Sequence, residues 1–404
     1  MTTLPAPLTP QVFADLLPAM LADLAELVGC ETPSADLAAV ARGAALVAGQ
    51  GARALGADPE VLVREGCTHL RWRLGGGPRR VLVLCHQDTV WPLGTLPAIP
   101  WSVVDGVVRG PGSLDMKGGI VLGLTALAQL RAAGTDLDGV TVLVTGDEEV
   151  GSPTSADLIQ EEARGCAAVL VLEAGADGGG LKTGRKGASM YELLVTGRAA
   201  HAGLEPEKGI SATLELAHQV GAIAALSDAG QGTTVTPTAL VSGTTTNTVP
   251  ASGRLSVDVR ALTAAEQQRV DAGMRALTPA LPGAVLELRG GVNRPPLEVA
   301  SSAGLFSLAQ QVSARLGLPA PEAVTVGGAS DGNFTAGIGV PTLDGLGAVG
   351  GGAHAAGEHV RTAELPGRAA LVAGLVQAVL AAAPGTHGRD GGGLGLPDEG
   401  TGGE

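Results

Sequence analysis

The chain has 404 residues, of which 45 % are hydrophobic and only 2 % aromatic, so leucine, valine and alanine must supply most of its core. This length exceeds what one hydrophobic core usually organises, and it predicts about two domains. The net charge of −14 argues against nucleic acid and anionic membranes as partners, because both are polyanionic.

The N-terminal segment predicts a helix and no export signal. MTTLPAPLTPQVF lacks the basic and apolar regions of a signal peptide, which favours a cytoplasmic protein. The four cysteines are scattered without C-x-x-C spacing, so we expect buried free thiols in a reducing compartment. Apolar residues from Phe13 to Val28 recur every three or four positions, as in an amphipathic helix that restarts near Pro18.

Three continuous apolar runs follow and predict strands that are buried on both faces. They are RVLVLC at 80–85, VTVLVT at 140–145 and AAVLVL at 167–172. The segments 116–134 and 156–164 between them have the length and apolar content of crossover helices. Strands and helices that alternate in this way predict an α/β domain with a mostly parallel central sheet flanked by helices.

Near residue 190 the pattern changes to strands with one wet face. In GRLSVDVRAL at 253–262, apolar and polar residues alternate. The pattern predicts a smaller α+β unit around this strand. The unit has one helix, at 211–226, and three more strands, at 190–198, 234–243 and 284–291.

The earlier pattern resumes after this unit, which therefore looks inserted. The apolar segment 369–383 is interrupted by Gln377 and is shorter than the roughly 20 residues of a membrane span, so a core helix is predicted. The expected domains are 1–188 and 297–384 as two parts of a catalytic domain, 189–296 as the insertion and 385–404 as a disordered glycine-rich tail.

Histidine and acidic residues come at the end of each buried run. They are His86 and Asp88 after the first, Asp147, Glu148 and Glu149 after the second, and Glu173 after the third. Ligands bind beyond the carboxyl ends of parallel strands, so these groups should converge. Crowded carboxylates need a cation between them, and a mixed histidine and carboxylate set suits zinc best, with cobalt or manganese as alternatives. Asp88 could hold the other ring nitrogen of His86.

Each of these residues also has an ordinary explanation. A histidine after a strand is often a core residue, and adjacent glutamates usually belong to a solvated loop. Asp115 in RGPGSLDMKGG and His354 in GAVGGGAHAAGEHV are equally weak signals alone. The chain has neither a P-loop motif nor a G-x-S-x-G nucleophile elbow.

Six motifs together carry a resemblance to a known family. CHQDTV, GPGSLDMKGG, GDEEVGS, LEAG, GRAAHAG and GGGAHAAGE occur in the order and spacing of peptidase family M20, the dinuclear zinc aminoacylases and carboxypeptidases. The resemblance runs from about residue 20 to residue 383 and is closest to the glutamate carboxypeptidase branch. It implies a zinc-exopeptidase-like catalytic domain with an inserted ferredoxin-like α+β domain that dimerises.

The resemblance also implies two zinc ions per chain. Asp115 would bridge them, with His86 and Glu173 completing one site and Glu149 and His354 the other. Further implied roles are Glu148 as general base, Asp88 as the residue that orients His86, and a cis peptide bond after Asp115.

Five residues from position 201 onward are implied to act on the substrate. His201 would donate to the oxyanion in the partner subunit's active site, and Gly328 lies in a glycine-rich loop that would line the pocket. Three residues match positions at which carboxypeptidases of the family bind the substrate carboxylate, namely Asn247, Arg260 and Arg294. The stretch KTGRKG at 182–187 and His359 depart from close glutamate carboxypeptidases.

The leading prediction is a homodimeric zinc exopeptidase that releases a C-terminal amino acid, with glutamate as first candidate, from a peptide or N-acyl substrate. An N-acyl amino acid deacylase would need the same metals and the same carboxylate grip. A non-catalytic binding protein on this fold is the alternative from another class.

Overall fold

The computed structural model describes residues 8–382, and the predicted tail at 385–404 lies outside them. The helices are α1 Pro10–Ala14, α2 Leu17–Gly29, α3 Leu37–Leu55, α4 Gly118–Ala132, α5 Ala156–Ala163, α6 Ala212–Ala224, α7 Ala264–Arg275, α8 Val299–Leu316, α9 Gly332–Gly337 and α10 Leu365–Ala381. The strands are β1 Glu60–Arg64, β2 Cys67–Leu74, β3 Val81–His86, β4 Ser102–Val104, β5 Val107–Arg109, β6 Val140–Thr145, β7 Ala168–Val171, β8 Leu181–Arg185, β9 Gly187–Thr196, β10 Ala200–His201, β11 Thr234–Ser242, β12 Thr248–Val249, β13 Ser252–Ala261, β14 Val285–Arg294, β15 Ala323–Val326, β16 Thr342–Leu343, β17 Gly350–Gly351 and β18 His359–Arg361.

The chain divides into two compact units. The first comprises residues 8–183, 299–326 and 330–382, and the second comprises 184–298 with 327–329. The short loop 327–329 therefore groups with the second unit, although its place in the sequence predicted the catalytic domain. The reason is a polar contact: the Arg185 guanidinium donates to the carbonyl oxygen of Gly328 at 3.1 Å.

The first unit is built on a six-stranded sheet in the order β1, β2, β6, β3, β7, β16. The pairs β3–β6, β3–β7 and β7–β16 are parallel, whereas β1 and β2 add an antiparallel edge. Every residue of β3, β6 and β7 is buried, as the continuous apolar runs predict. The predicted mostly parallel sheet is confirmed.

Alternate residues of β3 enter two different cores, which is why the run contains no polar position. Val81, Val83 and Cys85 pack in the core that includes α4 and α10, and Leu82 and Leu84 pack in the core formed with α5 and α9. Each buried aliphatic side chain stabilises the fold by about 1.5–3 kcal/mol. Helices therefore cover both faces of the sheet and leave its carboxyl edge for the site.

Helix α10 is the predicted core helix. By length and composition alone the span Thr362–Ala381 could cross a membrane, but 61 % of its apolar window is buried inside the protein. The N-terminal helix also breaks as the proline suggested, at Leu16, so that Pro18 occupies the first turn of α2, where it removes no helical hydrogen bond. Helices α3, α7 and α8 and the β1–β2 hairpin were not predicted from the sequence.

The second unit is an antiparallel sheet in the order β11, β13, β9, β14, with the chain order β9, α6, β11, β13, α7, β14. This is the ferredoxin-like topology that the resemblance implies. Leu255, Val257 and Val259 are buried in its core. The polar residues that alternate with them in β13 are partly exposed, so the predicted one wet face is confirmed.

A small sheet in the order β17, β18, β5, β4 belongs to the first unit and aligns two loops. Strands β5 and β18 are antiparallel, with Arg109 opposite His359. In an antiparallel pair, the last residue of one strand lies beside the first residue of the other. The loop that leaves β5 therefore starts beside the end of the loop that enters β18. Asp115 lies in the first of these loops and His354 in the second.

Candidate metal centre

The polar residues at the three strand ends come together at the carboxyl edge of the main sheet. His86 is the last residue of β3, Glu148 opens a short turn after β6, and Glu173 lies two residues beyond β7. Strand β3 lies between β6 and β7, so the three side chains converge. Their ligand atoms lie within 4.8 Å of one another.

Asp115 joins two clusters of histidine and carboxylate. Nε2 of His86 lies 3.3 Å from Asp115 Oδ1 and 3.3 Å from Glu173 Oε1. Nε2 of His354 lies 3.3 Å from Asp115 Oδ2 and 3.1 Å from Glu149 Oε2. The two oxygens of Asp115 thus face different histidines, which is the arrangement of a carboxylate that bridges two ions. This grouping of the five residues is the one that the resemblance implies.

The two clusters differ in their exposure to solvent. The His86 side chain is 2 % exposed, whereas the His354 side chain is 50 % exposed. His354 also adopts a left-handed backbone conformation with φ of 60°, which is uncommon outside glycine. The first cluster is therefore enclosed by strand ends, and the second opens toward solvent on a loop.

The carboxylates make the centre strongly attractive to positive charge. Burial lowers the pKa of His86, but the facing Asp115, Asp88 and Glu173 carboxylates outweigh it and raise the pKa well above its ordinary value. Asp115 and Glu149 raise the pKa of His354 to about 10. Burial opposes ionisation of Asp115, yet the two histidines hold its pKa well below the usual range. Without another cation, protons on the histidines balance these acids.

Among the described residues, two buried atoms of the centre make no hydrogen bond, although His86 Nε2 faces two carboxylates. Within residues 8–382, His86 Nε2 and Glu149 Oε1 are buried and have no hydrogen-bond partner. Such atoms are costly unless something else binds them. Imidazole nitrogen with carboxylate oxygen is a donor set typical of zinc and its neighbours in the first transition row. The residues present fit divalent metal ions.

Asp88 contacts the site through both its backbone carbonyl and its carboxylate. Nδ1 of His86 lies 3.0 Å from the backbone carbonyl oxygen of Asp88, and the nearer carboxylate oxygen is 3.4 Å away. The carboxylate instead accepts the backbone N–H groups of Glu148 and Glu149, each at 3.2 Å, and the Ser34 hydroxyl at 2.6 Å. One residue thus fixes both the histidine ring and the turn that carries the two glutamates.

The peptide bond between Asp115 and Met116 is cis, as the resemblance implies. Met116 is buried, and its sulfur accepts the backbone N–H of His86 at 3.2 Å. The residue after Asp115 therefore contacts the strand end that carries His86. This contact ties the segment that carries Asp115 to β3.

Glu358 is a buried residue of the site that was not among the predicted ones. Its carboxylate accepts hydrogen bonds from the backbone N–H groups of Gly112, Leu114 and Asp115. Burial raises its pKa, although these N–H groups act in the opposite direction. The only signal in the sequence is its place four residues after His354 in GGGAHAAGE, where an acid in a glycine-rich loop suggests an exposed position.

A third group with possible metal ligands consists of Cys67, His69 and Asp147. The side chains of His69 and Asp147 in this group already hydrogen-bond to other protein groups. His69 Nδ1 accepts the N–H of Gly146 at 3.2 Å, and its Nε2 lies 3.0 Å from the Thr154 hydroxyl. The Asp147 carboxylate accepts from Thr154 and Ser155. Asp147, which also follows β6, thus braces the turn after that strand.

The five predicted substrate residues all belong to the second unit. Asn247 is exposed, and its carbonyl oxygen accepts the Ala202 N–H at 2.9 Å. The Arg260 guanidinium makes two hydrogen bonds of 2.9 Å with Asp258, a partner that the sequence pattern did not indicate. Their role in substrate binding stays a prediction.

The remaining predicted residues have defined surroundings. Arg294 is 7 % exposed, and its carbonyl oxygen accepts from Gln267. His201 is exposed, and its Nδ1 accepts the N–H groups of Gly203 and Leu204, each at 3.1 Å. Nδ1 is thus occupied as an acceptor, and Nε2 is the ring nitrogen that can donate.

Paired clusters of histidine and carboxylate at the carboxyl edge of an α/β sheet are suited to a metal-dependent hydrolase, and comparison with known proteins shows that class. The family described as Peptidase family M20/M25/M40 matches residues 82–378. The chain belongs to this family. It is 32 % identical to carboxypeptidase G2 of Pseudomonas sp. (strain RS-16), over 75 % of this chain and 74 % of that relative.

A second relative in sequence and a solved structure are also similar to this chain. A succinyl-diaminopimelate desuccinylase of Xanthomonas euvesicatoria pv. vesicatoria is 28 % identical, over 78 % of this chain and 90 % of the relative. The crystal structure of aminopeptidase PepT from Bacillus cereus superimposes with a TM-score of 0.69 at 20 % identity, over 90 % of this chain and 99 % of that chain. At this identity the structural similarity establishes the fold.

Proposed function

We propose that the protein is a dinuclear zinc exopeptidase that releases a C-terminal amino acid, with glutamate as first candidate, from peptide or N-acyl substrates. The observation that carries the proposal is the position of Asp115, whose two oxygens face His86 and His354 separately. The similarity to a carboxypeptidase supports the substrate class. Four free cysteines among the described residues favour a reducing compartment, which supports a cytoplasmic location.

The proposed ligands divide into two sets that share Asp115. His86 and Glu173 would hold one ion, and Glu149 and His354 the other. When bound, such ions lower the pKa of a water molecule and polarise the scissile carbonyl. Zinc suits this donor set best, with cobalt or manganese as alternatives.

Glu148 is the proposed general base. It is buried beside His86 and Glu173, and the Asp88 carboxylate holds its backbone N–H at 3.2 Å. In the hydrolysis, the water oxygen forms a bond to the carbonyl carbon while the Glu148 carboxylate takes the proton. The carbon–nitrogen bond then breaks, and Glu148 returns the proton to the leaving amine.

Substrate selection is proposed to depend on the free carboxylate of the released amino acid. Arg294 and Arg260 are guanidinium groups suited to a carboxylate, and Asn247 could donate from its amide. Gly328 would form part of the pocket lining through its backbone. The Arg260 guanidinium is shared with Asp258, and a substrate carboxylate would have to compete with that contact.

An N-acyl amino acid deacylase is the second candidate, favoured by the similarity to desuccinylases. The zinc-loaded protein should be assayed, with and without a chelator, on peptides that end in glutamate, on the same peptides amidated at the C-terminus, and on N-acetyl and N-succinyl amino acids. We expect free glutamate-terminated peptides to be cleaved about tenfold or more faster than amidated ones, because a charge-assisted contact is lost. Faster turnover of the N-acyl amino acids would favour the deacylase. Equal rates on free and amidated peptides would contradict the proposed binding of the substrate carboxylate.

The same panel tests Arg294 directly. Arg294→Ala should raise KM for free peptides about tenfold and barely change it for amidated ones. Arg254→Ala, an exposed arginine of the same unit, is the matched control. Equal effects on both kinds of peptide would assign Arg294 a structural role.

We also propose that the protein is a homodimer in which His201 acts in the active site of the other subunit. The Glu148→Gln variant and the His201→Ala variant should each be inactive alone. When the two are mixed and their subunits exchange at random, half of the dimers contain one chain of each kind, and one of the two sites in such a dimer is intact. The mixture should therefore recover about a quarter of wild-type activity. Subunit mixing followed by assay and gel filtration measures this. A fully active monomer, or mixed dimers without activity, would contradict a role in trans.

A further inference from the structure

Glu358 connects the loop that carries Asp115 to the loop that carries His354. Its side chain is fully buried. Oε1 accepts the N–H groups of Leu114 at 2.8 Å and Asp115 at 3.1 Å. Oε2 accepts the N–H of Gly112 at 2.9 Å and the indole N–H of Trp91 at 2.8 Å. One carboxylate therefore holds three backbone positions at and before the bridging ligand.

The same residue is tied to the His354 loop through the backbone. The Glu358 N–H donates to the Ala355 carbonyl at 2.9 Å, and the Ala355 N–H donates to the Gly352 carbonyl at 3.0 Å. His354 lies within the turn that the Gly352–Ala355 hydrogen bond closes. Because Glu358 directly precedes β18, and β18 pairs with β5, the end of the His354 loop lies beside the start of the Asp115 loop.

The chemistry of the contacts requires a carboxylate. Four donors converge on two oxygens, and an ionised carboxylate offers only acceptors. A glutamine of the same shape would turn an NH₂ group toward at least one N–H. The loop would then have to move or leave a buried donor unsatisfied.

The two proposed ion sites depend on Glu358 to different degrees. His86 is part of β3, and Glu173 follows β7, so the sheet itself positions that pair. His354 lies on a loop with its side chain half exposed, and this loop is held beside Asp115 by the pairing of β18 with β5 and by the contacts of Glu358. The second site therefore has less support from the sheet.

We propose that Glu358 is a positioning residue that sets the distance between Asp115 and His354 and thereby controls the affinity of the second divalent cation. The inference rests on the proposed function, since it assumes two ions. It assigns Glu358 no contact with substrate or metal.

The test is a titration of the metal-free protein with Co²⁺. Calorimetry measures the affinity and the number of ions bound, and the visible absorption of bound cobalt reports its ligand environment. The wild-type protein should bind two ions. Glu358→Gln should bind the weaker of them about 10–100-fold less tightly, the usual effect of losing a group that orients a ligand, with a smaller change for the other ion and an altered cobalt spectrum. Glu364→Gln, an exposed glutamate nearby with the same charge change, should match the wild type.

Equal affinities and spectra for Glu358→Gln and the wild type would overturn the inference and leave the proposed function intact. A wild-type protein that binds no cobalt would overturn the proposed function itself. If Glu358→Gln does not fold, Trp91→Phe removes one donor from the same carboxylate and should weaken the second ion about two- to threefold. An unchanged affinity in Trp91→Phe would then overturn the inference.

Discussion

Glu148→Gln is expected to reduce kcat at least about a hundredfold while the fold and the metal content stay unchanged. The amide keeps the size of the side chain but cannot accept and return the proton of the attacking water. Asp88 holds the residue through its backbone N–H, so the side-chain change leaves the turn in place. Steady-state kinetics and metal analysis of the same preparation measure both quantities.

The neighbouring Glu149→Gln is the informative comparison. Its oxygen lies 3.1 Å from His354 Nε2, so this variant should lose activity through weaker metal binding and should recover part of it when metal is added in excess. Glu148→Gln should not recover. A Glu148→Gln enzyme with wild-type kcat would exclude Glu148 as the base.

Asp115→Asn is expected to lower kcat/KM by at least about a thousandfold, since several kcal/mol of transition-state stabilisation depend on the ions. The asparagine retains one carbonyl oxygen, so only one of the two histidine clusters can keep its shared oxygen. After dialysis the variant should hold fewer ions per chain than the wild type. Metal analysis and kinetics at several metal concentrations test this expectation.

Asp105→Asn provides the control for that variant. Asp105 lies in the exposed turn between β4 and β5 of the same unit, and the substitution makes the same change of charge. It should leave metal content and activity at wild-type levels. An Asp115→Asn protein that retains two ions and full activity would rule out a bridging role.

The central strands of the first unit follow from hydrophobic pattern. The runs at 81–86, 140–145 and 168–171 are almost uniformly apolar because both faces of the sheet are covered, and that pattern also indicates parallel strands. The alternation in β13 likewise predicts a sheet with one wet face. Helix α7 was not predicted because its sequence, AAEQQRVDAGMR, has few large apolar residues, and a mostly polar helix is hard to separate from a loop.

The sequence by itself determined the ligand candidates that follow strands. His86, Glu148, Glu149 and Glu173 could be expected to meet, because strand direction is local information and parallel strands end at one edge. Asp115 and His354 are weak signals in loops, and the combination of six motifs was needed to include them. The assignment of these residues to one centre thus depended partly on resemblance.

Only the tertiary structure decided how the site is held together. Glu358 reaches Gly112 and Asp115 across more than 240 positions of sequence, and Asp88 uses its carbonyl for His86 and its carboxylate for the glutamate turn. The pairing of Arg260 with Asp258 is of the same kind. Hydrogen bonds of buried polar groups depend on which loops face one another, and that is set by strand pairing and packing rather than by any local pattern.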